Sequence, residues 1–261
     1  MKTKIYVLLL LLCGMVWSVE AADRVKGDGK LTTKKISIDD YNKIKIDEVI
    51  DFYYVQSDSP STLEVTTDQN LHDYVYIEVK NRVLTVSFKG AKVDHFTKFI
   101  VKTNSKWLSE AKVNGNANFV VNSPLKGDET KISTSDNSLV QFKHPVTVGK
   151  LDLNVMGSAN VVIDNVETDK IECDVDGSGS VTIKSGKAKV GSYNIISSGD
   201  IHAFGLAVPD LNCKVTGGGL AEVHPTDNLK VTVIGKGRVR YKGPTAVQQR
   251  VIGKGTVEEV K

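Results

Sequence analysis

The chain predicts an all-β fold, a right-handed parallel β-helix of short coils, and three observations lead there. Eight segments of its second half align on one pattern, Val-x-Gly/Ser-x-small-x-apolar. Their Gly/Ser markers at 115, 135, 157, 177, 197, 217, 235 and 253 stand 18 to 22 residues apart. A fixed period of that size marks stacked repeats. The flanking columns are apolar and share parity, and no 3.6-residue apolar stripe competes with them.

The first inward column, two residues before each marker, reads Val113, Ser133, Val155, Val175, Ile195, Val215, Val233 and Val251. The second, four residues after it, reads Phe119, Leu139, Val161, Val181, Ile201, Ala221, Val239 and Val257. Under a period of two, both face the core. Between them lie the marker column and a second small column, Ala117, Asn137, Ala159, Gly179, Gly199, Gly219, Gly237 and Gly255, both of inward parity. Ladders of Gly and Ser allow a bend to recur on every rung. Coils this short leave no room for helices, so each period is two or three strands joined at corners. A β-sandwich would explain the alternation but not the near-constant period.

Residues 1–21 read as a secretory leader. Lys2 and Lys4 precede an apolar run from Ile5 to Met15, and Val19-Glu20-Ala21 supplies small residues for cleavage. The run is too short to span a membrane, and the mature chain is expected to have no transmembrane segment. Cys13 falls inside this leader, with Leu10 to Leu12 where a lipoprotein signal would place a small residue. Residues 22–105 are β-rich but off the period, and are expected to form an irregular cap, with a hairpin turn at Asn81-Arg82. Residues 106–261 hold the repeats, joined to the cap through Ser105 to Ala111 with Trp107 and Leu108.

Without Lys2, Lys4 and Glu20 the balance is 32 basic against 30 acidic residues. That near-neutrality gives no case for nucleic acid. Lys236, Arg238, Arg240, Lys242, Arg250 and Lys254 crowd the last coils, as a patch for an anionic polymer or as protection of an open sheet edge. Edge protection is preferred, since every open β-helix needs it. Cys173 and Cys213 share a column with Tyr193 on the rung between them. Two rungs separate them by nearly 10 Å, beyond disulfide reach, so both are expected to be free and buried.

Chemistry is sparse. No His spacing fits a metal, and the Gly-rich corners lack the helix a phosphate cradle requires. His72, His95, His144, His202 and His224 read as surface or turn residues. Asp152, Asp174 and Asp176 lie on nearby rungs and are the best candidates for a sugar-cleaving or calcium site. The coils lack the long loops that carry catalytic groups on repetitive scaffolds. No catalytic residue, metal or cofactor is therefore expected. What remains is an outward polar ladder beside the corner: Asn116, Asn118, Asp136, Ser138, Ser158, Asn160, Ser178, Ser180, Ser198 and Asp200. Such a ladder suits hydrogen bonding to sugar hydroxyls along a rod, and ordinary solvated surface is the plainer alternative.

The opening Tyr41-Asn42-Lys43-Ile44-Lys45-Ile46, the step Asp68-Gln69-Asn70-Leu71, the run Asn81 to Val86 and the coils typified by Val175 to Val181 together resemble the adhesin "head GIN" domain proteins of Bacteroidetes. The resemblance spans nearly the whole mature chain. It implies an exported β-helical protein of adhesin type and supplies no catalytic motif. The chain ends on the coil Val251 to Val260, without the alternating segments of a membrane barrel, so only a head is expected. The resulting expectation is a non-enzymatic, adhesin-like module of the periplasm, cell surface or medium, with a surface glycan or envelope polymer as partner. A structural, self-associating homo-oligomer is the alternative, and a carbohydrate-active enzyme the third.

Overall fold

A β-strand with one apolar face must bury that face, and here each coil does so on the coils above and below it. The structure is a computed structural model that describes residues 24–88, 92–243 and 245–260. The leader assigned to residues 1–21 lies outside the described residues. The fold is a β-solenoid of coils about 20 residues long, built almost wholly from parallel ladders.

Two walls run along the rod. The first stacks Val83–Phe88, Lys43–Ile46 and Glu110–Val113 on the later halves of Leu125–Thr134, Val146–Gly157, Val166–Gly177 and their successors. The second stacks Ile100–Ser105, Asp51–Gln56, Asn118–Val121, Leu139–Phe142 and Asn160–Ile163 in the same sense. A shorter third wall comes from the first residues of the long strands, where Val146 pairs with Val166 and Val166 with Gly186. The parallel pairing thus extends into residues 43–54 and 83–105. Antiparallel strands close that end: Leu31–Ser37 on Thr62–Asp68, Thr62–Asp68 on Ile100–Ser105, and Val75–Lys80 on Val83–Phe88. The last pair turns at Asn81 and Arg82, with φ of 52° and 62°. Two consecutive positive φ values suit the right-handed twist of a tight hairpin.

The core is built on the pair of apolar columns, with one shift and with Val251 of the last coil left exposed. Val113, Val155, Val175, Ile195, Val215 and Val233 are buried, as are Phe119, Val161, Val181, Ile201, Ala221 and Val239. Burying each such Val or Ile contributes about 1.5–3 kcal/mol. On the second coil Thr134 and Val140 fill these columns, not Ser133 and Leu139. Asp136, with φ 60°, makes the corner there instead of Ser135. Asp tolerates the left-handed region better than most residues. The marker column itself turns the chain with positive φ and is not buried, contrary to its expected parity; the second small column, including Ala117 and Ala159, is buried.

Cys173 pairs in register with Tyr193, and Tyr193 with Cys213. Both thiols are free and buried. Burial pushes the Cys213 thiol up to about 12 and raises that of Cys173 as well.

Candidate functional site

The coil period places the polar residues in two rows beside the corner. One row is exposed (Asn116, Ser158, Ser178, Ser198), and the other is half-buried (Asn118, Asn160, Ser180, Asp200). Asn116 and Asn118 stand two coils before Ser158 and Asn160; from there onward, neighbours within a row lie one coil apart, about 4.8 Å. They bond to one another along the rod. Ser158 and Ser178 share a hydrogen bond of 3.1 Å, and Ser180 donates to Asn160 Oδ1 at 2.6 Å. Asn118 Nδ2 donates to Asp51 at 3.2 Å, and Asp200 accepts the Leu220 amide at 3.0 Å.

Two of the expected residues sit elsewhere. Ser138 is fully buried in the column of Ala117 and Ala159, bonded to Thr134 Oγ1 and donating to the Val113 and Ser135 carbonyls. Asp136 occupies the corner and accepts the Gly115 amide at 2.9 Å. Both follow from the one-residue shift on the second coil, which the alternating Ser/Thr run 133–135 concealed.

The carboxylates considered for catalysis do not converge. Asp152 pairs in register with Glu172, and Asp174 with Asn154. Asp152 is bound to Lys131 at 3.2 Å and accepts from Asn154 at 2.7 Å, while Asp174 accepts from Asn194 at 3.1 Å. Among the described residues no three His, Cys, Asp or Glu side chains group to hold a metal. His72 is buried rather than on the surface and bonds to Thr32 Oγ1 at 2.9 Å. His202 faces outward, and Glu222 links it to Arg240 at 2.9 and 2.6 Å. Arg240 and Lys242 lie over the Phe204 ring at 5.8 and 5.7 Å, so two members of the basic cluster have partners.

A trough not anticipated in the sequence runs where the third wall bends into the first. Its largest part, about 600 Å³, is bedded by Val148, Thr168 and Ala188 and walled by Glu167, Asp169, Lys187 and Lys189. The signal was present as residues spaced by 20 on either side of the bend, but it lay outside the aligned pattern. Just before the marker corner, the row Met156, Asp176, Ile196, Thr216, Ile234 and Ile252 exposes four apolar side chains, of which only Ile234 and Ile252 are direct neighbours.

Residues 40–244 match the model of the family described as "Putative auto-transporter adhesin, head GIN domain". The chain belongs to that family. This head GIN protein is 77% identical to a "putative adhesin" from Parabacteroides distasonis ATCC 8503, over 91% of its own length and 100% of the other, with a TM-score of 0.91. A "putative adhesin" from Parabacteroides merdae ATCC 43184 is 66% identical over 92% and 100% of the two chains, again with a TM-score of 0.91. A "putative lipid binding protein" from Parabacteroides distasonis ATCC 8503 shares 30% identity over 92% and 100%, with a TM-score of 0.87. The head GIN chain matches none of the curated proteins. Among its described residues no helix is long and apolar enough to cross a membrane.

Proposed function

We propose that this head GIN protein is an exported, non-catalytic adhesin-like module that binds a surface glycan or cell-envelope polymer along one long side of its rod. The observation that supports it most is the pair of polar rows, in which hydroxyl, amide and carboxylate groups recur on the successive coils from Ser158 and Asn160 to Ser198 and Asp200, fixed by bonds such as Ser158–Ser178 and Asn160–Ser180. Groups held in place before binding lose little further freedom when a ligand arrives. A polymer with regularly spaced hydroxyls engages many of them, so contacts that are weak singly add up. Family membership and the leader-like residues 1–21 support a place at or beyond the inner membrane.

A glycan array probed with residues 22–261, run beside an assay for newly released reducing ends, tests this reading. Saturable binding without release is the expected result. Release of reducing ends makes the protein an enzyme, and silence in both assays removes the glycan reading. The adjacent pair Ile234 and Ile252, 37% and 46% exposed, favours a second reading, lateral self-association of rods. Light scattering across a concentration series, with Ile234→Lys as control, separates it: an oligomer that Ile234→Lys dissolves is its signature.

A further inference from the structure

The trough is longer than its largest part. Depressions of about 600, 410 and 350 Å³ join end to end, the first two sharing Gly127 and the last two sharing Lys126 and Trp107. From Thr226 through Pro209, Lys189, Asp169 and Gly149 to Trp107 it follows the rod for roughly 30 Å at the spacing of stacked strands. No side chain in the bed of its largest part exceeds Val in size, the bed being the nearly buried row Val148, Thr168 and Ala188 with Gly127, flanked by Gly149 and Ala207. Each wall is neutralised along its own length, Glu167 with Lys187 at 3.4 Å and Asp169 with Lys189 at 2.7 Å.

Trp107 stands at one end, 47% exposed. Its carbonyl accepts the Ser105 hydroxyl at 2.9 Å, and the Lys106 ammonium lies 5.6 Å from its ring centroid. A large ring held at the surface beside a trough is an apolar platform with a polar handle.

These features select among ligands. An anionic polymer would meet Glu167 and Asp169 as readily as the lysines. A peptide strand would need free backbone groups, but the third wall's are engaged in the ladders to neighbouring coils. An acyl chain in a trough open along its length would keep one side in water, against the hydrophobic effect. A pyranose chain offers apolar C–H faces for the bed and ring, and hydroxyl edges for the charged walls and solvent.

We infer that this trough is the binding site of the rod, that it takes an extended neutral glycan, and that Trp107 is its stacking platform. The inference rests on the glycan reading above but moves the contact from the polar rows to the trough.

Trp17 and Trp107 are the two tryptophans, so the emission of residues 22–261 reports Trp107 alone. Titration with cellohexaose and chitohexaose, followed by fluorescence and calorimetry, is the test. A saturable emission shift is expected with at least one of them. Trp107→Ala and Ala207→Arg, which fills the trough, should each weaken binding about tenfold or more, a loss of about 1.4 kcal/mol. The double variant Ser158→Ala/Ser178→Ala should bind like the parent, and unchanged thermal midpoints certify folding. Heat of binding with unaltered emission, lost in the Ser158/Ser178 variant, overturns the trough and leaves the glycan reading intact. Binding of charged array glycans alone, and of no neutral one, overturns the neutral-ligand assignment. An emission shift with oleate and none with sugar overturns it in favour of a lipid. Silence toward every glycan removes both proposals.

Discussion

Asp68 receives two hydrogen bonds from Thr97, its amide donating to Oδ2 at 2.7 Å and its hydroxyl to Oδ1 at 2.8 Å. The Gly29 amide adds a third, 2.8 Å from Oδ1. The fully buried carboxylate thus ties the loop after the first strand to the loop before Ile100–Ser105, at the capped end of the rod. Burial alone would raise its pKa, but the donors of Thr97 and Gly29 outweigh it and hold the group below the ordinary carboxylate value. A group depressed in the folded state contributes stability above its unfolded value, near 3.9, and loses it as pH falls through the folded one. Thermal midpoints should therefore decline below about pH 4. Asp68→Asn, which replaces an acceptor by a donor facing Thr97, should cost about 1–3 kcal/mol at neutral pH and flatten that acid decline. Equal acid slopes in parent and variant would refute the assignment.

The corner glycines differ in what they tolerate. Gly177 has φ +127°, and a Cβ there would lie 2.4 Å from the Gly157 carbonyl oxygen of the preceding coil. Gly218, beside the corner two coils further on, has nothing within 4 Å of such a Cβ and no positive φ. Gly177→Ala should lose about 1–3 kcal/mol from backbone strain alone, with the clash in addition. Gly218→Ala should lie within about 0.5 kcal/mol of the parent. Urea denaturation of both variants decides, and equal losses would contradict the corner geometry.

Tyr193 lies in the core between Cys173 and Cys213, and its buried hydroxyl has no hydrogen-bond partner. A lone buried hydroxyl costs free energy that its ring does not. Tyr193→Phe should accordingly stabilise the rod by about 1 kcal/mol. The flanking thiols, raised by burial, should resist Ellman's reagent in the native protein and react fully in denaturant. Loss of stability on Tyr193→Phe would mean that the hydroxyl is satisfied after all.

The architecture was legible because an inward column must be apolar on every rung, and Val155, Val175, Ile195 and Val215 repeat without interruption. The pairing of Lys43–Ile46 with Glu110–Val113 was not legible: the intervening 63 residues of cap obscure any period. At the candidate site, Ser158 and Ser178 fell where the pattern placed them. Ser138 did not, since a buried Ser bonded within its own corner looks in sequence like a solvated one. The trough was missed for a different reason. It depends on a concave bend in the backbone near Gly149, and concavity leaves no trace in hydrophobic alternation. Trp107 stood out as the joint between cap and coils, but its nearness to that trough is a property of the folded chain.

Thr134 and Ser138 offer the sharpest check of the second coil. Their hydroxyls bond to each other in the core, and Ser138 Oγ also reaches the Val113 carbonyl at 3.2 Å and that of Ser135 at 2.7 Å. The coils on either side place Val113 with Ala117 and Val155 with Ala159 at these positions. Removing one hydroxyl leaves the other buried with a partner lost, so Thr134→Val and Ser138→Ala should each cost about 1–3 kcal/mol. The double variant turns the polar pair into the Val/Ala pair of its neighbours. Replacing both partners by apolar groups of similar shape is close to neutral, so it should recover most of the loss, with a coupling energy of about 0.5–3 kcal/mol. Ser133→Val and Asn137→Ala, the pair that the uncorrected alignment would place inward, provide the control and should not show this coupling. Additive losses at Thr134 and Ser138, or coupling at Ser133 and Asn137, would return the corner of the second coil to Ser135.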